Sequence, residues 1–136
     1  MREISPDEIG DPAEWARQWI LADREAAHVA GIVAPGAWVH SHRGAPGVIY
    51  GGGDGRELAA AGESLRAVTE HLVRHDPEDV LSRCAAELAV LEAHGSNGAV
   101  PPSCRECRDA PHPCRTVLLL VSGYRHRPGY REGWRP

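Results

Sequence analysis

The chain has 136 residues and a formal net charge of −4 at pH 7, a length that is typical of one compact domain. It has no Phe and no Lys, so its 15 basic residues are all Arg and its large aromatic side chains number only four Trp and three Tyr. The longest uncharged apolar run, Val117–Val121, is too short to cross a bilayer, and the N-terminus lacks the apolar core of a secretory signal. We therefore predict a single cytoplasmic domain, residues 1–136, without membrane contact.

The first helix is predicted over residues 11–30. Asp11 can cap it, Pro12 suits the first helical position, and Glu14 occupies the position that a capping box requires. Five residues recur at helical spacing and predict one apolar, core-facing side: Trp15, Trp19, Ala22, Ala26 and Val29. A β-hairpin follows, with strands at Trp38–Arg43 and Val48–Tyr50 on either side of Gly44-Ala45-Pro46-Gly47. Residues 1–55 thus contain the N-terminal helix and the hairpin.

A pair of helices is predicted over residues 56–94. The second helix extends from about Arg56 to Arg74 on an apolar stripe of Leu58, Ala61, Leu65, Val68 and Leu72. It ends near His75 because Pro77 disfavours helical geometry at the residue before it. Asp76 can cap the third helix, residues 77–94, which ends at Gly95. Its predicted core residues are Val80, Leu81, Cys84, Leu88 and Leu91.

Three cysteines after Gly95 carry the clearest chemical signal. Cys104, Cys107 and Cys114 have the spacing Cys-x2-Cys-x6-Cys, and a Cys-x2-Cys turn lets two thiolates reach one tetrahedral zinc ion. Cys84 lies on the apolar stripe of the third helix, where a lone Cys behaves as a small hydrophobe. We predict one structural zinc ion in a knuckle that joins the last two helices.

The fourth zinc ligand has several candidates. His94 comes first, because it ends the third helix beside the buried face that Leu91 marks, with a loop long enough to fold back to Cys104. His112 comes second, since its closeness to Cys114 and the flanking prolines constrain it. His71 and His75 follow. A water ligand in place of a side chain would indicate a catalytic site.

The second half of the chain resembles a known family. The matching motifs are His71-Leu-Val-Arg-His75-Asp-Pro77, His94, Cys104-x2-Cys107, Pro113-Cys114 and Tyr130-Arg-Glu-Gly-Trp134-Arg-Pro136. This pattern is similar to that of short actinobacterial proteins known only as a domain of unknown function. The resemblance implies an actinobacterial or phage source and a fourth helix over Thr116–Gly123. It implies no activity.

The predicted fold is a small, mostly helical α+β domain with about four helices and one β-hairpin. Residues 95–136 add the zinc knuckle, the last helix and a tail that interleaves Arg with aromatic residues. Seven Arg and three acidic residues give residues 101–136 a charge of +4, while residues 1–100 carry −8. We predict a non-enzymatic accessory or protein-interaction domain. The alternatives are a nucleic-acid-binding regulator that uses the Arg-rich C-terminal third and, third, a small enzyme with an open zinc site.

Overall fold

The computed structural model describes residues 10–40, 48–51, 57–60 and 66–136. These ranges contain the helices α1 (Pro12–Val33), α2 (Arg66–Arg74), α3 (Pro77–Ala93) and α4 (Arg115–Ser122). They also contain the strands β1 (Trp38–His40), β2 (Val48–Gly51) and β3 (Glu57–Ala60), and a short 3-10 helix over Glu132–Trp134. No helix in these ranges is both long and apolar enough to span a bilayer. The predicted mostly helical α+β class is confirmed, with the cysteine loop between α3 and α4.

The predicted start of the second helix is wrong. We expected helix from about Arg56, whereas Glu57–Ala60 forms β3 and α2 begins at Arg66. β3 pairs antiparallel with β2, so the hairpin extends to a three-stranded sheet in the order β1-β2-β3. Pairing with the free edge of β2 therefore outweighs the helix propensity of residues 57–60, and these residues form a strand. Of the predicted stripe, Leu58 lies on the strand, and Ala61 and Leu65 lie outside the described residues.

Helix α1 begins as its sequence predicts and extends further than expected. The Asp11 carboxylate accepts a hydrogen bond from the Ala13 N–H at 2.9 Å, and the helix continues to Val33 rather than ending near residue 30. Trp15 is fully buried and Trp19 is half-buried. The predicted apolar face does not continue into the core, because the other three of its members are exposed: Ala22, Ala26 and Val29.

The chain divides into two compact units, one of Met1–Ala22 with Ala85–Pro136 and the other of Asp23–Cys84. We call them the C-terminal unit and the central unit. The core of the C-terminal unit includes Trp15, Ile20, Leu91, Val117 and Val121. The core of the central unit includes Ala27, Ala34, Val48, Ile49 and Cys84, with α2 against β1 and β2. A single domain over residues 1–136 stays a prediction.

The C-terminal tail packs on the first half of α1. The Trp15 ring lies 5.9 Å from the Tyr130 ring and 5.3 Å from the Trp134 ring, measured between centroids, and the Trp15 indole N–H donates to the Pro128 carbonyl at 3.1 Å. The guanidinium of Arg127 lies over the Trp19 ring at 5.0 Å. Tyr130 and Trp134 therefore anchor the tail on α1.

Asp76 connects the start of α3 to β1 within the central unit. The side chain is buried. Its Oδ1 atom accepts a hydrogen bond from the Asp79 N–H at 2.9 Å, and its Oδ2 atom accepts one from the Trp38 N–H at 3.1 Å.

We expect Asp76→Ala to lower the free energy of unfolding by about 2–3 kcal/mol, because it removes a helix cap and leaves a second N–H without its acceptor. Urea denaturation measures the change. Asp11→Ala, which removes an exposed cap, is the control and should cost about 1 kcal/mol or less; equal losses would contradict the double role.

Candidate metal centre

Four side chains of the C-terminal unit bring their donor atoms together. His94, Cys104, Cys107 and Cys114 each offer one atom, and these four atoms all lie within 4.8 Å of one another. Cys104 and Cys114 are buried, while His94 and Cys107 are half-buried. All three cysteines carry free thiols. We call these four residues the metal centre; they are the four residues that the sequence analysis selected.

His94 lies directly after the end of α3. The helix ends at Ala93, and the His94 N–H still donates to the Val90 carbonyl at 3.0 Å. Gly95 does not take the left-handed conformation of a common glycine C-cap. Its N–H instead donates to the Glu92 carbonyl at 3.2 Å, and a Cβ at this position would lie only 3.2 Å from the same oxygen. Glycine therefore allows the chain to turn tightly just after the histidine.

Backbone hydrogen bonds fix the loop that carries Cys104 and Cys107. The Arg105 N–H donates to the Gly95 carbonyl at 3.0 Å, and the Cys104 N–H donates to the Ala110 carbonyl at 2.9 Å. Within the Cys-x2-Cys turn, the Cys107 N–H donates to the Cys104 sulfur at 3.4 Å. These hydrogen bonds place two sulfurs of the loop beside His94.

The distances around the histidine fit a tetrahedral site. The His94 Nδ1 atom lies 3.5 Å from the Cys104 Sγ, 3.5 Å from the Cys107 Sγ and 3.6 Å from the Cys114 Sγ. A zinc ion bound to sulfur at about 2.3 Å and to nitrogen at about 2.05 Å, with tetrahedral angles, separates those two atoms by about 3.5–3.6 Å. Since all three sulfurs lie at that distance from the same ring nitrogen, Nδ1 is the atom of His94 that could bind a metal ion here.

Cys114 stands at the N-terminus of α4, where helix geometry favours its thiolate. It is the N-cap residue, and its side chain makes no capping hydrogen bond of ordinary geometry. Burial acts to raise the pKa of Cys114, but the N–H of Val117, the thiols of Cys104 and Cys107, and the N–H of Thr116 together lower that pKa to about 7. Sequence reasoning selected Cys114 as a candidate ligand but missed this contribution of α4, which the Pro113-Cys114 pair before an apolar run could have indicated.

The pKa of Cys107 is raised because its thiol lies close to two other sulfurs. Its hydrogen bond with the Cys104 thiol, then burial, then the neighbouring Cys114 sulfur raise its pKa to about 11. Three thiolates at these distances repel one another, so ionising all three favours a cation between them. Metal binding releases the thiol protons and removes this repulsion.

Comparison with models of known protein families gives a match for the chain. Residues 10–136 match a family of unknown function, DUF6221. The chain belongs to this family. The match reaches well beyond residues 71–136, the part of the chain on which the sequence resemblance depends. No curated protein and no solved structure is similar to the chain at a significant level.

The remaining candidate ligands of this DUF6221 protein lie elsewhere. His112 Nδ1 is 3.3 Å from the backbone carbonyl oxygen of His94, and since a carbonyl only accepts, this nitrogen must carry the proton of the hydrogen bond. His112 therefore contacts the backbone of a centre residue and is not one of the four donors. His71 and His75 belong to the central unit and contact each other. Cys84 is buried, with 1% of its surface exposed, as a core residue should be.

Proposed function

We propose that the metal centre binds one zinc ion and that this DUF6221 protein is a non-enzymatic accessory or protein-interaction domain. The observation that supports the proposal is the set of four protein donor atoms at tetrahedral spacing. Structural zinc sites have four protein ligands, whereas catalytic sites have three and keep the fourth position for water. A centre that His94 closes therefore favours a structural role over an enzyme with an open zinc site.

The donor set favours zinc over other common metals. Three sulfurs and one imidazole nitrogen in a tetrahedron suit Zn²⁺, while Mg²⁺, Ca²⁺ and Mn²⁺ prefer oxygen ligands. Thiols that stay reduced also agree with the predicted cytoplasmic location. That location and the actinobacterial source stay predictions.

The ion would connect the end of α3 to the start of α4. His94 follows α3 directly and Cys114 precedes α4, so the end of one helix and the start of the next meet at one centre. The 19 residues between His94 and Cys114, residues 95–113, contain no α-helix or strand of the described fold. In a chain with few aromatic residues, such a link supplies stability that a small apolar core does not.

Zinc analysis tests the proposal. We expect purified protein to contain about one zinc ion per chain, and Cys114→Ala to lose it because the substitution removes one of the four donor atoms. Elemental analysis after extensive dialysis measures the content. Cys84→Ala is the matched control, because it removes a buried cysteine outside the centre and should keep the ion. Wild-type protein without zinc would contradict the proposal.

An apolar surface of the central unit supports a protein partner. Val29, Ile32 and Val33 of α1 have 50%, 68% and 62% of their surface exposed. Their spacing of three and four residues puts them on one side of the helix. Clustered apolar side chains in water often mark a site of protein interaction.

A nucleic-acid partner is the second candidate, because six of the seven Arg after residue 100 are exposed; only Arg127 is half-buried. If they contact phosphates, affinity for a single-stranded oligonucleotide should fall at least about tenfold between 50 and 200 mM salt. Fluorescence anisotropy measures this change, and Arg108→Ala and Arg125→Ala should each weaken binding. An absence of binding at 50 mM salt would contradict this candidate.

A further inference from the structure

Two histidines outside the metal centre form a pair on the surface of the central unit. His71 lies in the last turn of α2 and His75 follows that helix. A spacing of four residues brings side chains to the same side of a helix. Their ring centroids are 4.5 Å apart, the rings are tilted by 57°, and both side chains are exposed.

The separation of the rings fits two cis ligands of one metal ion. With a metal–nitrogen bond of about 2.1 Å, the centre of an imidazole ring lies about 3.2 Å from the metal. Two rings at a right angle around the metal then have centroids about 4.5 Å apart, whereas a tetrahedral angle separates them by about 5.2 Å. The separation of 4.5 Å agrees with the right angle that tetragonal and octahedral ions favour between ligands.

A carboxylate on the next helix lies beside one of the two rings. His75 Nδ1 lies 3.7 Å from Asp79 Oδ2, in the first turn of α3. This distance exceeds that of a hydrogen bond, yet a carboxylate beside Nδ1 favours the tautomer in which Nδ1 carries the proton and Nε2 is the metal donor. Such outer carboxylates are a common feature of histidine metal sites. Asp76, buried and bonded to the Asp79 N–H, fixes the helix turn that carries this carboxylate.

We propose that His71 and His75 form a second metal site, separate from the cysteine centre, that binds an ion with right-angled coordination such as Ni²⁺ or Cu²⁺. Imidazole suits these ions, and both favour right angles between ligands. Two side chains provide two coordination positions, so water or an anionic ligand from outside the chain fills the others. The site does not depend on the proposed role of the cysteine centre.

Isothermal titration of zinc-loaded protein with Ni²⁺ in a buffer that does not bind metals tests this site. We expect one Ni²⁺ per chain, at least about tenfold weaker binding for His71→Gln and for His75→Gln, and a smaller loss for Asp79→Asn. His126→Gln, which removes an exposed histidine of the tail, is the control and should bind as wild type does. Thermal melting confirms that each variant is folded.

Three results would overturn the proposal. The first is wild-type protein that takes up no Ni²⁺, and the second is a His71→Gln or His75→Gln variant that binds Ni²⁺ as wild type does. The third is the release of one zinc ion for each nickel ion bound, since nickel would then have entered the cysteine centre. Paramagnetic broadening of the His71 and His75 ring signals by nickel, before those of other histidines, would support the site directly.

Discussion

The Cys107→Ser variant is expected to lose the folded structure of the C-terminal unit at 25 °C. Zinc binding contributes about 10–16 kcal/mol in small zinc domains, which is as large as the whole free energy of unfolding of a typical domain, about 5–15 kcal/mol. Cys107 provides one of four donor atoms, so its loss should remove most of that contribution. Far-UV circular dichroism and a thermal melt measure the effect.

Two controls separate loss of the metal from loss of a cysteine. Cys84→Ala should retain zinc and a cooperative melt at a cost of about 1–2 kcal/mol, because it leaves only a small cavity. A strong zinc chelator added to wild-type protein should reproduce the melt of Cys107→Ser. If Cys107→Ser unfolds at the wild-type temperature, the metal centre does not stabilise the fold.

The Trp15→Ala variant is expected to lose about 3–5 kcal/mol of the free energy of unfolding, as large aromatic residues do when truncated in a core. Trp15 is fully buried, packs against Tyr130 and Trp134 and donates its indole N–H to Pro128. The substitution therefore removes the side chain of α1 that Tyr130, Trp134 and Pro128 contact. Urea denaturation, followed by circular dichroism, measures the loss.

Two further variants show whether Trp15 acts through its packing. Trp15→Phe loses the hydrogen bond to Pro128 but keeps an aromatic ring. Because the ring packing is largely retained, its loss of unfolding free energy should fall well below that of Trp15→Ala. Leu119→Ala truncates an apolar side chain of α4 that is 52% exposed and should change stability by about 0.5 kcal/mol or less. Equal losses for Trp15→Ala and Leu119→Ala would show that the tail is not anchored by Trp15.

The clustering of His94 with the three cysteines could be predicted because these residues lie close in sequence. A Cys-x2-Cys turn brings two sulfurs together by local geometry, and the position of His94 beside Leu91 on α3 placed its side chain at the border of the buried face. The choice of Nδ1 as the donor could not be predicted, because it depends on the rotamer of His94 beside three sulfurs. The contact of His112 with the His94 carbonyl depends on the return of the loop, which spacing does not determine.

The fold was predictable where local signals act and not where distant residues decide. Asp11 and Asp76 cap helices as their sequence context indicates, whereas the second hydrogen bond of Asp76, to Trp38, joins residues 38 positions apart. Strand β3 forms because it pairs with β2, for example Ala59 with Ile49, which local sequence signals do not indicate. Burial of Trp15 on α1 likewise depends on the tail, whose Tyr130 and Trp134 lie more than 100 positions away in sequence.

X-ray absorption spectroscopy of the zinc-loaded protein tests the central claim most directly, because it measures the ligands of the bound ion. The proposed structural site predicts three sulfur ligands at about 2.3 Å and one nitrogen ligand at about 2.0–2.1 Å, with no oxygen ligand. A first shell with fewer than three sulfurs, or with a water oxygen in place of the His94 nitrogen, would contradict the closed, structural zinc centre.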